Sequence, residues 1–286
     1  MTATVDLKEI LSLVENKVQG PLRDCAIEGI KAGFEAGTFA GKRYGASHDI
    51  SYKGEIDLVT ETDIESERII KERLEDVGEA EIMAEESSQD SSLRDGTFWI
   101  IDPLDGTTNF AHGFPFFAPS IAYCKIESGR FQPLFGCIFI PCLNELFWAV
   151  KGIGSYLNVS RITVSTENRL SRALLATGFP YDVHQNARDV LSAFQGMLIR
   201  AQGIRRAGAA AIDLAYVACG RFEGFWEMKL KPWDTAAGQL LVEEAEGMVT
   251  GFRGQGYDPF LPEIIASNKL IHGQMVDILK AYSKKR

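Results

Sequence analysis

With 286 residues, 45% of them hydrophobic and 24% charged, the chain has the composition of a folded protein of one large domain or two smaller ones, which excludes a disordered or stapled miniature scaffold. The 39 acidic residues outnumber 30 Lys and Arg, giving a formal net charge of -9. That field repels nucleic-acid backbones and anionic lipid, so a phosphate-bearing ligand would need cations to bridge it to the protein.

In chain order, Leu7, Ile10, Leu11, Val14 and Val18 recur at helical spacing, and Gly20-Pro21 punctuates before a second helix expected over residues 22–35. Residues 37–53, rich in Gly and polar side chains, read as a loop or mobile arm. Helical spacing returns over residues 62–74. The short apolar runs 81–84 and 98–101 follow, each ending in carboxylates. Residues 117–150 alternate β-rich runs with turn signals, as an antiparallel meander does. Beyond Gly154, strands and helices alternate in α/β order, and a boundary near residues 151–154 divides the chain into halves 1–152 and 153–286. Cys25, Cys124, Cys137, Cys142 and Cys219 show no C-x-x-C spacing and read as free thiols of a reducing compartment. The acidic, amphipathic first twenty residues do not resemble a signal peptide, and no apolar run reaches membrane length, so a cytoplasmic protein without membrane contact is expected.

The most informative stretch is Trp99-Ile-Ile-Asp102-Pro-Leu-Asp105-Gly106-Thr107-Thr108-Asn109-Phe110. An apolar strand delivers Asp102 to its carboxyl end, Pro103 stops the ladder, and Asp105 follows on a turn closed by Gly106. Two hard oxygen ligands aimed at one point suit Mg2+. A helical turn from Thr107 would present the Gly106 and Thr107 amides to an anion. Alone, Asp-x-x-Asp-Gly is equally a hairpin turn. Asp234, beside Trp233 at a helix start, reads as a dipole-favoured terminal charge as well as a ligand.

Three motifs in order, Asp57-Leu-Val-Thr60-Glu-Thr62-Asp63, Glu85-Glu86-Ser87 with the Asp102 to Asn109 string, and Trp233-Asp234-Thr-Ala-Ala-Gly238, make the chain resemble the inositol monophosphatase family over residues 22–270. The resemblance implies an α+β or α/β fold, a layered αβαβα sandwich of the sugar-phosphatase type, and a homodimer. It implies a lithium-sensitive, Mg2+-dependent phosphatase of inositol monophosphate or a similar polyol or sugar phosphate. Glu85, Asp102 and the Leu104 carbonyl would hold one Mg2+, and Asp102, Asp105 and Asp234 a second, with a third, weaker ion beside Glu85 in some members. Asp63 and Thr107 would orient and help deprotonate the attacking water, with Glu85 beside it. Lys53 and Asp57 match loop positions that approach the metals and phosphate; a solvated charged loop is the alternative for both, and for Lys53 it explains the residue equally well. Asp105, Gly106, Thr107, Gly208, Ala210, Glu227 and Asp234 would meet the substrate. Glu227 could instead pair with Lys229 or Lys231, and Arg205 and Arg206 read as structural or interface residues.

Scattered histidines disfavour a zinc hydrolase, and neither a Gly-x-Ser-x-Gly elbow nor a Walker A string is present. The alternatives within the resemblance are fructose-1,6-bisphosphate, 3'-phosphonucleotide or histidinol phosphate as substrate. A regulatory, protein-binding role is the alternative of a different class, and direct RNA contact is disfavoured by the net acidity.

Overall fold

The structure, a computed structural model, describes residues 5–46, 50–52, 58–87 and 94–282. The elements run α1 (Leu7–Lys17), α2 (Pro21–Arg43), β1 (Ile50–Tyr52), β2 (Leu58–Thr60), α3 (Glu61–Leu74), β3 (Glu81–Ala84), β4 (Gly96–Asp105) and the short helix α4 (Thr107–Ala111). Strands β5 (Ala118–Glu127), β6 (Arg130–Ile140), β7 (Glu145–Val150), β8 (Gly154–Leu157) and β9 (Ser160–Ile162) follow. The remainder comprises β10 (Leu174–Thr177), α5 (Val183–Leu198), β11 (Gly203–Arg205), α6 (Ala210–Ala218), β12 (Gly224–Met228), α7 (Pro232–Glu244), β13 (Met248–Thr250), β14 (Glu263–Ser267) and α8 (His272–Leu279).

Strands β3 to β9 form a seven-stranded sheet in sequential order, antiparallel except for the β3–β4 pair. A second, five-stranded sheet has the order β11-β10-β12-β14-β13, with β10, β11 and β12 parallel. The first sheet takes in β8 and β9, at residues 154–162.

Strand alternation sorts the core into layers. Trp99, Ile101, Ile121, Phe135 and Cys137 on one face of the large sheet pack with Ile10, Val14, Ala26 and Ile30 of α1 and α2 and with Ile70 of α3. Phe98, Ile100, Ala118 and Ala122 face the other way, onto Ile212 and Leu214 of α6, Leu240 of α7 and, beyond them, Phe225 and Ile264 of the small sheet. The opposite face of that sheet, with Leu175, Trp226 and Ile265, is closed by Ala193 and Met197 of α5 and Met275 of α8. The result is the layered αβαβα sandwich. The apolar stripe of α1 covers the protein's own core, with Ile10 and Val14 fully buried. Among the described residues no helix is long and apolar enough to cross a membrane.

The second helix departs from the sequence expectation, because α2 continues through Gly37 to Arg43 instead of giving way to a loop. Its glycines explain the difference. Gly29, Gly33, Gly37 and Gly41 form a groove along the helix that seats Phe135, Cys137, Phe139 and Pro141 at the end of β6. Four helical residues rise about 6 Å and two strand residues about 6.6 Å, so the two repeats stay nearly in step. A Cβ on Gly29 would stand 2.3 Å from Phe135 Cε1, and one on Gly37 2.4 Å from Phe139 Cδ1. Alanine improves helix propensity by about 1 kcal/mol over glycine, whereas overpacking costs about 1–3 kcal/mol. Gly29→Ala and Gly37→Ala are therefore expected to lower the urea midpoint of unfolding, and a raised midpoint in either would refute this account of the groove.

At the far end of the second half, His272 is 4% exposed, its Nε2 lies 2.8 Å from Thr250 Oγ1 and its Nδ1 2.8 Å from Ser267 Oγ. Thr250 Oγ1 donates to the Gly251 carbonyl, so it accepts from Nε2–H, which leaves Nδ1 to accept from Ser267. Burial pushes the imidazole down to about 4. Between the unfolded value of about 6.5 and pH 4, the unfolded chain binds a proton that the folded chain does not, so stability falls as pH falls through that window. The loss reaches about 3 kcal/mol by pH 4. The difference in unfolding free energy between the wild type and His272→Gln should shrink by this amount from pH 7 to pH 4; a constant difference would contradict it.

Candidate active site

The two acids of the central motif share a face because β4 is irregular. Residues three apart on a regular strand point to opposite faces. Here Asp102 pairs with Ser120 and Asp105 with Ala118, so one extra residue is accommodated between them. This bulge, at Pro103-Leu104, returns Asp105 to the side of Asp102, the face that meets α6 and α7. The Asp102 carboxylate Oδ1 accepts the Leu104 N–H at 2.9 Å. Gly106 takes φ +92, and a Cβ there would stand 2.7 Å from the Phe116 carbonyl, so only glycine fits the step into α4.

Parallel pairing of β3 with β4 brings Glu85 to the same edge, where its N–H donates to the Ile101 carbonyl at 3.1 Å. Buried Glu67 of α3 fastens this turn by accepting the Glu86 N–H at 2.9 Å. From the other half, α7 presents Asp234 in its first turn, accepting the Lys231 N–H at 2.7 Å, so the capping role and the site position coincide. The Ser120 hydroxyl donates to the Trp233 carbonyl and ties α7 to the strand beside Asp102. Asp105 reaches across the layers to accept the Ala211 N–H at 2.7 Å, capping α6, whose own N-cap residue Ala209 has no side-chain acceptor.

Four carboxyls from three segments, Glu85 after β3, Asp102 and Asp105 of β4 and Asp234 of α7, thus act on one another. Asp102, 2% exposed, is driven well above the carboxylate range first by burial and then by the charges of Glu85, Asp105 and Asp234. Burial likewise pushes Asp105 up to about 7, against the stabilising α6 N–H groups. Among the described residues no three His, Cys, Asp or Glu side chains close to the spacing of a metal cage, so the acids are coupled at longer range. Their chemistry nonetheless suits a hard cation: the donors are carboxylate oxygens and a backbone carbonyl, and a divalent charge would offset the repulsion that raises them.

Beside them, Asp63 is 1% exposed at the start of α3. Its Oδ2 accepts the Thr60 N–H at 2.8 Å and the Thr60 hydroxyl, and its Oδ1 accepts the Thr107 hydroxyl at 2.8 Å. The Leu104 carbonyl lies 3.1 Å from the same Thr107 hydroxyl. Burial raises Asp63, and the Thr60 and Thr107 bonds pull it back.

The expected substrate end is brought to the same place. Asn109 Nδ2 donates to the carbonyls of Phe116 at 2.7 Å and Ala207 at 2.9 Å, linking α4 to the Gly208 turn that precedes α6 and Ala210. Glu227, 7% exposed at the end of β12, is raised by burial and then by Asp234, while Arg206 opposes the shift. Lys229 pairs with Asp182, so it is Asp182 that takes this lysine and leaves Glu227 facing the acids and Arg206. Lys53 and Asp57 lie outside the described residues. Sequence reasoning gave no role to Asn109, Glu67 or Asp213; the last was visible as one acid inside the apolar run Ala-Ala-Ile-Asp213-Leu-Ala-Tyr.

The profile of the inositol monophosphatase family matches residues 22–284. An inositol-1-monophosphatase of Rhizobium meliloti is 37% identical over 254 residues, covering 88% of this chain and 94% of that protein. A Nus factor SuhB of Pseudomonas aeruginosa is 45% identical over 210 residues, covering 72% of this chain and 76% of its own. The solved inositol monophosphatase of Anabaena superposes with a TM-score of 0.79 at 34% identity, covering 92% of this chain and 97% of that one. The chain belongs to the inositol monophosphatase family and is a phosphatase enzyme.

Proposed function

We propose that the chain is a Mg2+-dependent phosphomonoesterase that hydrolyses inositol monophosphate or a similar small polyol or sugar phosphate. The observation that carries this reading is the β4 bulge, which sets Asp102 and Asp105 on one face, where the charges of Glu85 and Asp234 act on Asp102. We assign Glu85, Asp102 and the Leu104 carbonyl to one Mg2+ and Asp102, Asp105 and Asp234 to a second, with a third ion beside Glu85 as the family resemblance suggests. Bound Mg2+ supplies a polarised phosphoryl group and a water of lowered pKa.

The chain's own residues position the reactants. Asp63 accepts the Thr107 proton, so the lone pairs of Thr107 Oγ1 are available to accept from the attacking water. The Gly106 and Thr107 amides at the start of α4 are the donors we assign to the phosphate. Gly208, Ala210 and Glu227 receive the polyol, whose hydroxyls donate to the Glu227 carboxylate. Lys53 and Asp57 are assigned to the phosphate approach on the resemblance alone, as are the homodimer, lithium inhibition and a cytoplasmic setting.

A protein-binding role is a second reading, supported by the Pseudomonas aeruginosa relative's name as a Nus factor. It would be added to catalysis, because a scaffold has no need of four acids in mutual repulsion. Phosphate release from inositol-1-phosphate, fructose-1,6-bisphosphate, 3'-phosphoadenosine phosphate and histidinol phosphate, each with Mg2+ and with chelator, tests the proposal. The expected result is Mg2+-dependent release fastest from inositol-1-phosphate. Release that survives chelation, or a preference for another ester, would overturn the corresponding part.

A further inference from the structure

The turn that leads into α6 is held against the other half of the chain by two side chains. Asp105 Oδ2 accepts the Ala211 N–H at 2.7 Å. Asn109, which has no part in the chemistry assigned to Asp63, Thr107 and the acids, donates from Nδ2 to the carbonyls of Ala207 at 2.9 Å and Phe116 at 2.7 Å, with the Gly208 carbonyl at 3.3 Å. A carboxamide nitrogen carries two hydrogens, so Ala207 and Phe116 take one each and Gly208 shares. All three neighbours are acceptors, which settles that the nitrogen of the amide, not its oxygen, faces the turn. The fit is close: Gly208 takes φ +84, and a Cβ there would stand 3.6 Å from both the Nδ2 and the Oδ1 of Asn109.

Helix α6 does little to hold this turn itself, because its N-cap residue Ala209 has no side-chain acceptor and Asp213 Oδ1, in its first turn, makes no hydrogen bond. The two tethers also differ in kind. Asp105 is a charged group assigned to a Mg2+, whereas the Asn109 amide is uncharged and donates at any pH. We propose that Asn109 is a positioning residue that sets the place of the turn at Gly208 and Ala210 relative to Asp105 and Thr107, and through it the selectivity for esters whose alcohol carries hydroxyls. The inference rests on the phosphatase reading above, which places the polyol against Gly208 and Ala210. A turn that slips from this place loses the hydroxyl contacts while the phosphate end keeps its own residues.

Asn109→Ala removes the donor, and Asn109→Asp keeps the shape but sets a carboxylate oxygen against the carbonyls. With Mg2+, we expect Asn109→Ala to raise KM for inositol-1-phosphate about tenfold with kcat within about threefold, and Asn109→Asp to raise KM further. For p-nitrophenyl phosphate, whose leaving group bears no second hydroxyl, both constants should stay within about twofold of the wild type. A residue that only stabilised the fold would move both esters together. Equal losses on both, or an unchanged KM for inositol-1-phosphate, would therefore overturn the proposal. So would thermal unfolding showing that neither variant folds, which would assign Asn109 to the fold and not to selectivity. A wild type that hydrolyses p-nitrophenyl phosphate alone would overturn this inference and leave the phosphatase reading standing; one that hydrolyses neither ester would overturn both.

Discussion

Asp102→Asn is expected to lower kcat for phosphate release about a thousandfold or more while leaving the fold intact. The amide keeps the volume of the side chain, and its Oδ1 can still accept the Leu104 N–H that the carboxylate accepts at 2.9 Å. What it removes is the charge at the centre of the acidic set. In chelator the same substitution should stabilise the protein. Asp102 is raised by burial and by Glu85, Asp105 and Asp234, so the folded chain holds a proton that the unfolded chain releases near pH 4. Stability therefore falls as pH rises from about 4 through the higher folded value, and Asn escapes that fall. The variant's advantage in melting temperature should be absent below about pH 4 and grow above it. Full activity, or a loss of stability at pH 7 in chelator, would show that Asp102 is a structural carboxylate. A site that is strained when empty of cations and active only with its charge intact is the stability–activity trade-off expected of an enzyme.

Most of the strands and helices were legible because apolar spacing changes period between elements, as between residues 62–74 and 98–101. The family motifs placed the acids. What remained hidden in each case was a contact between distant segments. The continuation of α2 through Gly37 was invisible because glycine normally argues against a helix, and its reason lies in Phe139, a hundred residues away. The bulge that puts Asp102 and Asp105 on one face is a property of β4 paired with β5, not of β4 alone. The capping of α6 by Asp105 and the tether from Asn109 to Ala207 likewise join the two halves of the chain. β8 and β9 were missed at residues 154–162 because four and three residues carry too little period to read. These omissions fall at the seams between layers, where the site is assembled.

Asp63→Asn is expected to reduce kcat about a hundredfold to ten-thousandfold, with Thr107→Ala close behind. The geometry fixes the reason. Asp63 accepts the Thr60 N–H at one oxygen and the Thr107 hydroxyl at the other. An amide in its place must keep its oxygen toward the Thr60 N–H, which turns its NH2 group toward Thr107. The Thr107 hydroxyl then accepts from that NH2 and donates to the Leu104 carbonyl, 3.1 Å away, so one of its two lone pairs is occupied and the other loses the direction toward the attacking water that the bond to Asp63 sets. Thr107→Ser keeps the hydroxyl and should stay within about tenfold of the wild type, the smaller loss reflecting freedom at the rotamer that the methyl group restricts. Because both residues act through one hydrogen bond, the double variant Asp63→Asn with Thr107→Ala should lose little more than the worse single variant. Losses that multiply, or a Thr107→Ser enzyme as slow as Thr107→Ala, would separate the two residues. A drop in unfolding free energy beyond the roughly 1–2 kcal/mol of a lost helix cap would instead assign Asp63 to holding α3.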